Sequence, residues 1–128
     1  MRWRVLTKNF RREVRRTGRT AQRKGRAGEI ELARILQGYG YDAQPGRAVS
    51  YGSTPDLTGL PGVHCEVKRV ERLNVPEAMK QAERDAAKFG GIPALFHRRS
   101  REPWLVTMPL SIWMDFYQAW HEKTAPSE

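Results

Sequence analysis

From Lys24 onward the spacing of apolar residues changes its period several times, and glycines or prolines mark the changes. A period near 3.6 residues predicts an amphipathic helix, and strict alternation predicts a strand. The resulting order of helix, three strands, helix, two strands and helix indicates an α/β fold, a mixed sheet flanked by helices. The expected elements are a helix over 24–39, strands over 41–44, 56–58 and 63–70, a helix from Pro76 to 88 or 89, strands over 92–97 and 104–107, the latter at an edge, and a helix from Pro109.

The final helix carries an aromatic face. Its aromatic residues fall at i, i+3, i+4 and i+7: Trp113, Phe116, Tyr117 and Trp120. Packing requires such helical spacing. We therefore expect this face to pack in the core or against a second subunit rather than to stack on bases.

Length and cysteine content limit the class of protein. A chain of 128 residues allows one compact domain. It has no apolar run near the roughly 20 residues that span a bilayer, and its basic N-terminus lacks the apolar segment of a signal peptide. Cys65, as the single cysteine, cannot form an intramolecular disulfide. We expect a cytoplasmic protein of a bacterial, archaeal or phage-infected host cell.

The net charge of +9 is concentrated at the N-terminus. Residues 1–26 contain eleven basic side chains and one acidic one, whereas residues 27–128 have a balance of −1. Phosphate backbones attract such cationic segments through counterion release. We expect residues 1–22 to form a basic arm that binds nucleic acid and 23–128 to form the domain, a solubilising tail or membrane contact being the alternative. The expected DNA-binding residues here are Arg11, Arg12, Arg15, Arg16, Arg19, Arg23 and Lys24.

Pro55-Asp56 is followed, after nine residues, by Glu66-Val67-Lys68. Alternation places Glu66 and Lys68 on one face and Val67 in the core, and the hairpin brings Asp56 alongside. Two carboxylates offer a hard divalent cation oxygen ligands, and the Val67 carbonyl is a further candidate ligand. The ion would activate a water for phosphodiester hydrolysis, with Lys68 orienting the water or the phosphate. The alternative is an ordinary charge pair on a solvated face.

Four segments, in order and with similar spacing, resemble the archaeal-type Holliday junction resolvases of the PD-(D/E)XK nuclease superfamily. They are KGRAGEIE at 24–31, SYGSTPDL at 50–57, EVK at 66–68 and KFGGIPA at 88–94. The resemblance covers about 23–107. It implies a restriction-endonuclease-like five-stranded mixed sheet, dependence on Mg²⁺ or Mn²⁺, and a homodimer that nicks opposed strands of a four-way DNA junction.

By position, the resemblance assigns catalytic roles to Glu29, Asp56, Glu66 and Lys68. Asp56 and Glu66 would bind the metal directly, and Glu29, early in the first helix, would hold metal-bound water. A loop serine or arginine near the family's active site would correspond to Ser50 or Ser53 and to Arg47. A polar residue in the second helix of such nucleases would correspond to Gln81. The arm before Arg23 and the helix after Met108 depart from the pattern, as a phage or prophage member of the same fold would.

Two alternative functions stay open: a nuclease with another substrate, of nicking, flap or restriction type, and a catalytically idle DNA-binding or assembly protein. Converging carboxylates argue against the second, because without a metal they would repel phosphates. The histidines lack the spacing of a zinc site. Glu31 lies about 200° around the helix from Glu29 and is expected in solvent. Arg98, Arg99 and Arg101 either contact phosphates or solvate a turn.

Overall fold

The computed structural model describes residues 17–46 and 55–126. The elements are α1 (Thr17–Gly38), β1 (Gln44–Pro45), β2 (Leu57–Thr58), β3 (Val63–Arg69), α2 (Val75–Phe89), β4 (Ile92–Arg98), β5 (Leu105–Thr107) and α3 (Leu110–Thr124). In these two ranges no helix is both long enough and apolar enough to cross a bilayer. The predicted order of helices and strands is confirmed.

The strands form one mixed five-stranded sheet in the order β1-β2-β3-β4-β5. Neighbouring strands are antiparallel except β3 and β4, which are parallel. A parallel pair needs a crossover, and α2 supplies it. The predicted α/β class is therefore confirmed, as is the edge position of the strand at Leu105–Thr107.

The two faces of the sheet contact different helices. Cys65 and Val67 of β3 are buried in one hydrophobic cluster with Leu32 and Ala33 of α1. The alternate residues of β3 face α2, whose buried side chains are alanines at intervals of four: Ala78, Ala82 and Ala86. Small side chains let this helix lie close to the sheet. The predicted core position of Val67 is confirmed.

Two boundaries differ from the sequence expectation by more than one residue. α1 begins at Thr17 rather than Lys24, because alanine, glutamine, arginine and lysine favour a helix without an apolar repeat. β1 begins at Gln44 rather than Tyr41. The amides of Gly40 and Tyr41 donate to carbonyls of the last turn of α1, and Gly40 has φ 95°, so this segment completes the helix end before the sheet begins.

The position of Glu31 corrects the expectation that it lies in solvent. Its Oε1 accepts hydrogen bonds from Arg98 Nη1 at 2.6 Å and from Trp104 Nε1 at 2.9 Å. Arg69 Nε lies 3.9 Å from its Oε2. α1 packs with this side against the ends of β3 and β4, so the Glu31 carboxylate faces two half-buried arginines. Arg98 is thus held by an ion pair with Glu31.

The aromatic face of α3 is not part of the core that the described residues form. Trp113, Phe116, Tyr117 and Trp120 are 39–58% exposed, and α3 has no buried residue. Tyr117 instead stacks within the helix on Trp113, with ring centroids 5.2 Å apart. Helical spacing predicts an apolar face but does not identify its partner, and of the two expected partners the core is excluded by this exposure. Packing on a second subunit stays a prediction.

Candidate functional site

Asp56 is positioned by the β2–β3 pairing. Leu57 pairs with Cys65, and the Asp56 amide donates to the Cys65 carbonyl at 3.2 Å. The Val67 amide in turn donates to Asp56 Oδ2 at 2.9 Å. The strand pairing and this hydrogen bond fix the direction of the Asp56 carboxylate beside β3. The predicted role of the Val67 carbonyl as a metal ligand stays a prediction.

Glu66 lies beside Asp56 and is almost fully buried, with 3% of its surface exposed. Its pKa is raised from 4.5 to about 7, first by burial and then by the negative charge of Asp56. Lys68 Nζ, 3.4 Å from Glu66 Oε1, opposes the shift. Glu66 and Asp56 therefore form a carboxyl pair with one neighbouring lysine.

Glu29 reaches this pair from α1. Its pKa is also raised to about 7, by burial and then by the charge of Asp56, while Arg26 and Lys68 lower it. Arg26 Nη1 lies 3.5 Å from Glu29 Oε2 and also donates to the Gly46 carbonyl. These interactions connect four residues that lie up to 39 positions apart in the sequence. They are Glu29, Asp56, Glu66 and Lys68, whose charges influence one another in the folded chain. Their catalytic role stays a prediction.

Two glycines permit this approach. A Cβ on Gly28 would lie 2.9 Å from the Cβ of Arg69, so a larger residue would push α1 away from β3 and move Glu29 with it. Gly46 donates to the Asp56 carbonyl at 2.8 Å, and a Cβ there would collide with the Pro55 carbonyl. Both positions need glycine for close approach rather than for an unusual φ.

The donor set fits a divalent cation. It consists of carboxylate oxygens, which Mg²⁺ and Mn²⁺ prefer. The pKa values of Glu29 and Glu66 are raised first by burial and then by the negative charge of Asp56, and Arg26 and Lys68 offset these effects only in part. A cation would relieve that repulsion, with Asp56 and Glu66 as direct ligands. Structural ion pairs also shift pKa values, so the fit rests on the oxygen set together with the electrostatics.

A second group of ligand atoms adjoins Glu66 on the α2 side. A ring nitrogen of His64, an oxygen of Glu66 and an oxygen of Asp85 lie within 4.8 Å of one another. Sequence analysis considered only histidine spacing and missed Asp85. The signal was present: Asp85 lies three residues after Ala82 and hence on the stripe of α2 that faces the sheet, and His64 alternates with Glu66 on β3.

Of the residues expected near the site or on the DNA, the structure describes the side chain of Gln81 but not those of the other residues named here. Gln81 is half-buried on α2, one turn before Asp85. Three of them belong to the first turns of α1, where the structure describes the backbone but not the side chains: Arg19, Arg23 and Lys24. The remainder fall outside residues 17–46 and 55–126: Arg11, Arg12, Arg15, Arg16, Arg47, Ser50 and Ser53.

No protein-family model and no curated protein matches this chain. Among solved structures, it is similar to Hjc of Archaeoglobus fulgidus, a Holliday junction resolvase from an archaeal hyperthermophile. The identity is 23% over 64% of this chain and 74% of that chain, with a TM-score of 0.48. At this level of likeness, the chemistry of the site is inferred from this chain's own residues and not from the neighbour.

Proposed function

We propose that the chain is a divalent-cation-dependent endonuclease that hydrolyses phosphodiester bonds of branched DNA, with the four-way junction as its preferred substrate. The observation that carries the proposal is the placement of the Asp56 carboxylate beside β3, next to the buried Glu66 carboxyl group, with Lys68 Nζ 3.4 Å from Glu66 Oε1. A protein that only binds DNA gains nothing from buried carboxylates facing an anionic ligand. The preference for the junction is supported by the sequence resemblance at 24–31, 50–57, 66–68 and 88–94.

Each residue of the site has a distinct task in this proposal. Asp56 and Glu66 hold Mg²⁺ or Mn²⁺, which supplies a water of lowered pKa and positive charge against the phosphate. Lys68 orients the attacking water or a phosphate oxygen and offsets the charge that develops in the transition state. Glu29 binds the attacking water from the α1 side. Arg26 holds Glu29 in place through their ion pair.

The proposed substrate also implies an oligomeric state and a cellular role. Resolving a four-way junction requires two opposed nicks, which a homodimer with two such sites would make. The exposed aromatic face of α3 is available for such an assembly. We assign the protein to DNA recombination and repair in the cytoplasm of a bacterial, archaeal or phage-infected host cell.

Cleavage of four DNA substrates, side by side with Mg²⁺, tests the proposal. The substrates are a four-way junction, a flap, a linear duplex and a single strand of matched sequence. We expect paired, symmetric nicks at the junction, because the two sites of a dimer act on opposed strands. Cleavage of the flap or the linear duplex at an equal rate would contradict the junction preference, and no cleavage of any substrate with Mg²⁺ or Mn²⁺ would contradict the nuclease itself.

Deleting residues 1–16 is expected to weaken DNA binding and flatten its salt dependence. The deletion ends where α1 begins and removes seven basic side chains. Each phosphate contact contributes about 0.9 to the slope of log affinity against log salt on duplex DNA. Fluorescence anisotropy with labelled junction DNA at several salt concentrations measures that slope. A full-length variant with the same seven residues changed to glutamine is the matched control and should behave alike; a wild-type slope in both would remove the arm from DNA binding.

A further inference from the structure

The face of β3 that turns toward α2 carries a histidine and a carboxylate side by side. His64 and Glu66 alternate on this strand and are each 3% exposed. Asp85 approaches them from α2, and one ligand atom from each of the three lies within 4.8 Å of the others. Three ligand-bearing residues on two packed elements therefore converge at one point of the interior.

A second observation indicates that this point binds something. Among the described residues, His64 Nε2 is fully buried and has no hydrogen-bond partner. Buried polar atoms are nearly always paired, so a buried histidine that has an unpaired ring nitrogen and lies beside two carboxylates calls for a ligand. An electron-accepting cation is the ligand that imidazole nitrogen and carboxylate oxygen can satisfy together.

We propose that His64, Glu66 and Asp85 form a second divalent-cation site, which takes Zn²⁺ or a similar transition-metal ion. The site shares Glu66 with the Asp56 pair but lies on its α2 side. It does not depend on the nuclease proposal, because its ligands would bind the ion whether or not the chain cleaves DNA.

The ligand set distinguishes this site from the one at Asp56. Imidazole suits zinc and other ions of intermediate softness, whereas Mg²⁺ prefers oxygen ligands and retains several waters. One nitrogen and two carboxylates are three protein ligands, the number that zinc sites with one open position use. Cys65 contributes nothing, because it is buried in the α1-side cluster on the opposite face of β3.

Titration calorimetry of the full-length, metal-free protein with Zn²⁺ tests the site. We expect Asp85→Asn and His64→Phe each to lower the affinity for Zn²⁺ by about tenfold or more, because each removes one of three ligands. Glu83→Gln, on an exposed position of the same helix, is the matched control and should bind as the wild type. Asp56→Asn should also retain Zn²⁺ binding, since it leaves all three ligands in place.

Two outcomes would overturn the proposal. One is wild-type Zn²⁺ affinity in a folded Asp85→Asn variant, which is decisive even where His64→Phe fails to fold, because Asp85 is only half-buried. The other is displacement of Zn²⁺ by an equal concentration of Mg²⁺. A loss of cleavage with intact Zn²⁺ binding would leave this site standing, and absent Zn²⁺ binding with intact Mg²⁺-dependent cleavage would remove this site alone.

Discussion

Replacing Glu66 with glutamine is expected to reduce Mg²⁺-dependent DNA cleavage on the order of 10³-fold or more, because it removes a cation ligand without changing the shape of the side chain. Asp56→Asn should have an effect of similar size. Its amide oxygen can still accept the hydrogen bond that the Val67 amide gives to Asp56 Oδ2, so the loss would come from the ligand and not from the hairpin. Single-turnover cleavage of a labelled four-way junction measures both.

The controls for this experiment come from exposed carboxylates of the same chain. Glu83→Gln on α2 and Asp115→Asn on α3 make the same chemical changes outside the site and should cleave at the wild-type rate. DNA affinity, measured without a divalent cation, should be retained in both site variants. Undiminished cleavage in either site variant would remove Asp56 and Glu66 from the active site.

The cation-free protein is expected to become less stable as the pH rises from about 5 to 8. The pKa of Glu66 is about 7 in the folded protein and 4.5 as its ordinary value, so between these values the folded state binds more protons than the unfolded state. Its contribution to stability is fully present below 4.5 and is lost as the pH rises through 7. Each pKa unit corresponds to about 1.4 kcal/mol, which makes the effect of Glu66 on the order of 3 kcal/mol. Urea unfolding in EDTA at pH 5 and pH 8 measures it.

Glu66→Gln gives this prediction a sharp test, because the amide cannot ionise. At pH 8 without a cation, the variant should be more stable than the wild type, by an amount on the order of 2 to 3 kcal/mol. Part of the pH dependence should persist, since Glu29 has a pKa of about 7 as well. Saturating Mg²⁺ should stabilise the wild type more than the variant. A variant that is less stable than the wild type at pH 8 would show that the buried charge of Glu66 does not destabilise the fold.

The proximity of Asp56 to Glu66 and Lys68 was predictable from the sequence because it depends on local geometry. Strand alternation places Glu66 and Lys68 on one face, and the turn at 59–62 limits how far Asp56 can lie from them. The burial of Val67 follows from the same alternation and is confirmed. The elements of a hairpin are joined by few residues, so few arrangements are open to them.

The contacts made by the helices were not predictable in this way. They depend on how each helix is rotated about its axis against the sheet, which no short stretch of sequence determines. Glu31 was expected in solvent, yet it pairs with Arg98 because α1 presents that side to β3 and β4. Asp85 was missed for the same reason, since the stripe of alanines on α2 indicates a buried side but not which strand residues it meets. The spacing of the aromatic residues on α3 likewise predicts an apolar face but not what covers it.

The continuity of α1 fixes the position of its first residue, Thr17, relative to Glu29 in the site. Thr17 and Glu29 belong to the same unbroken helix, about 18 Å apart along its axis at 1.5 Å per residue. One residue inserted between 17 and 24 would rotate Thr17 by about 100° relative to Glu29, whereas the same insertion in a loop would be absorbed. The distance and direction from Thr17 to Glu29 are therefore set by the number of residues in this helix.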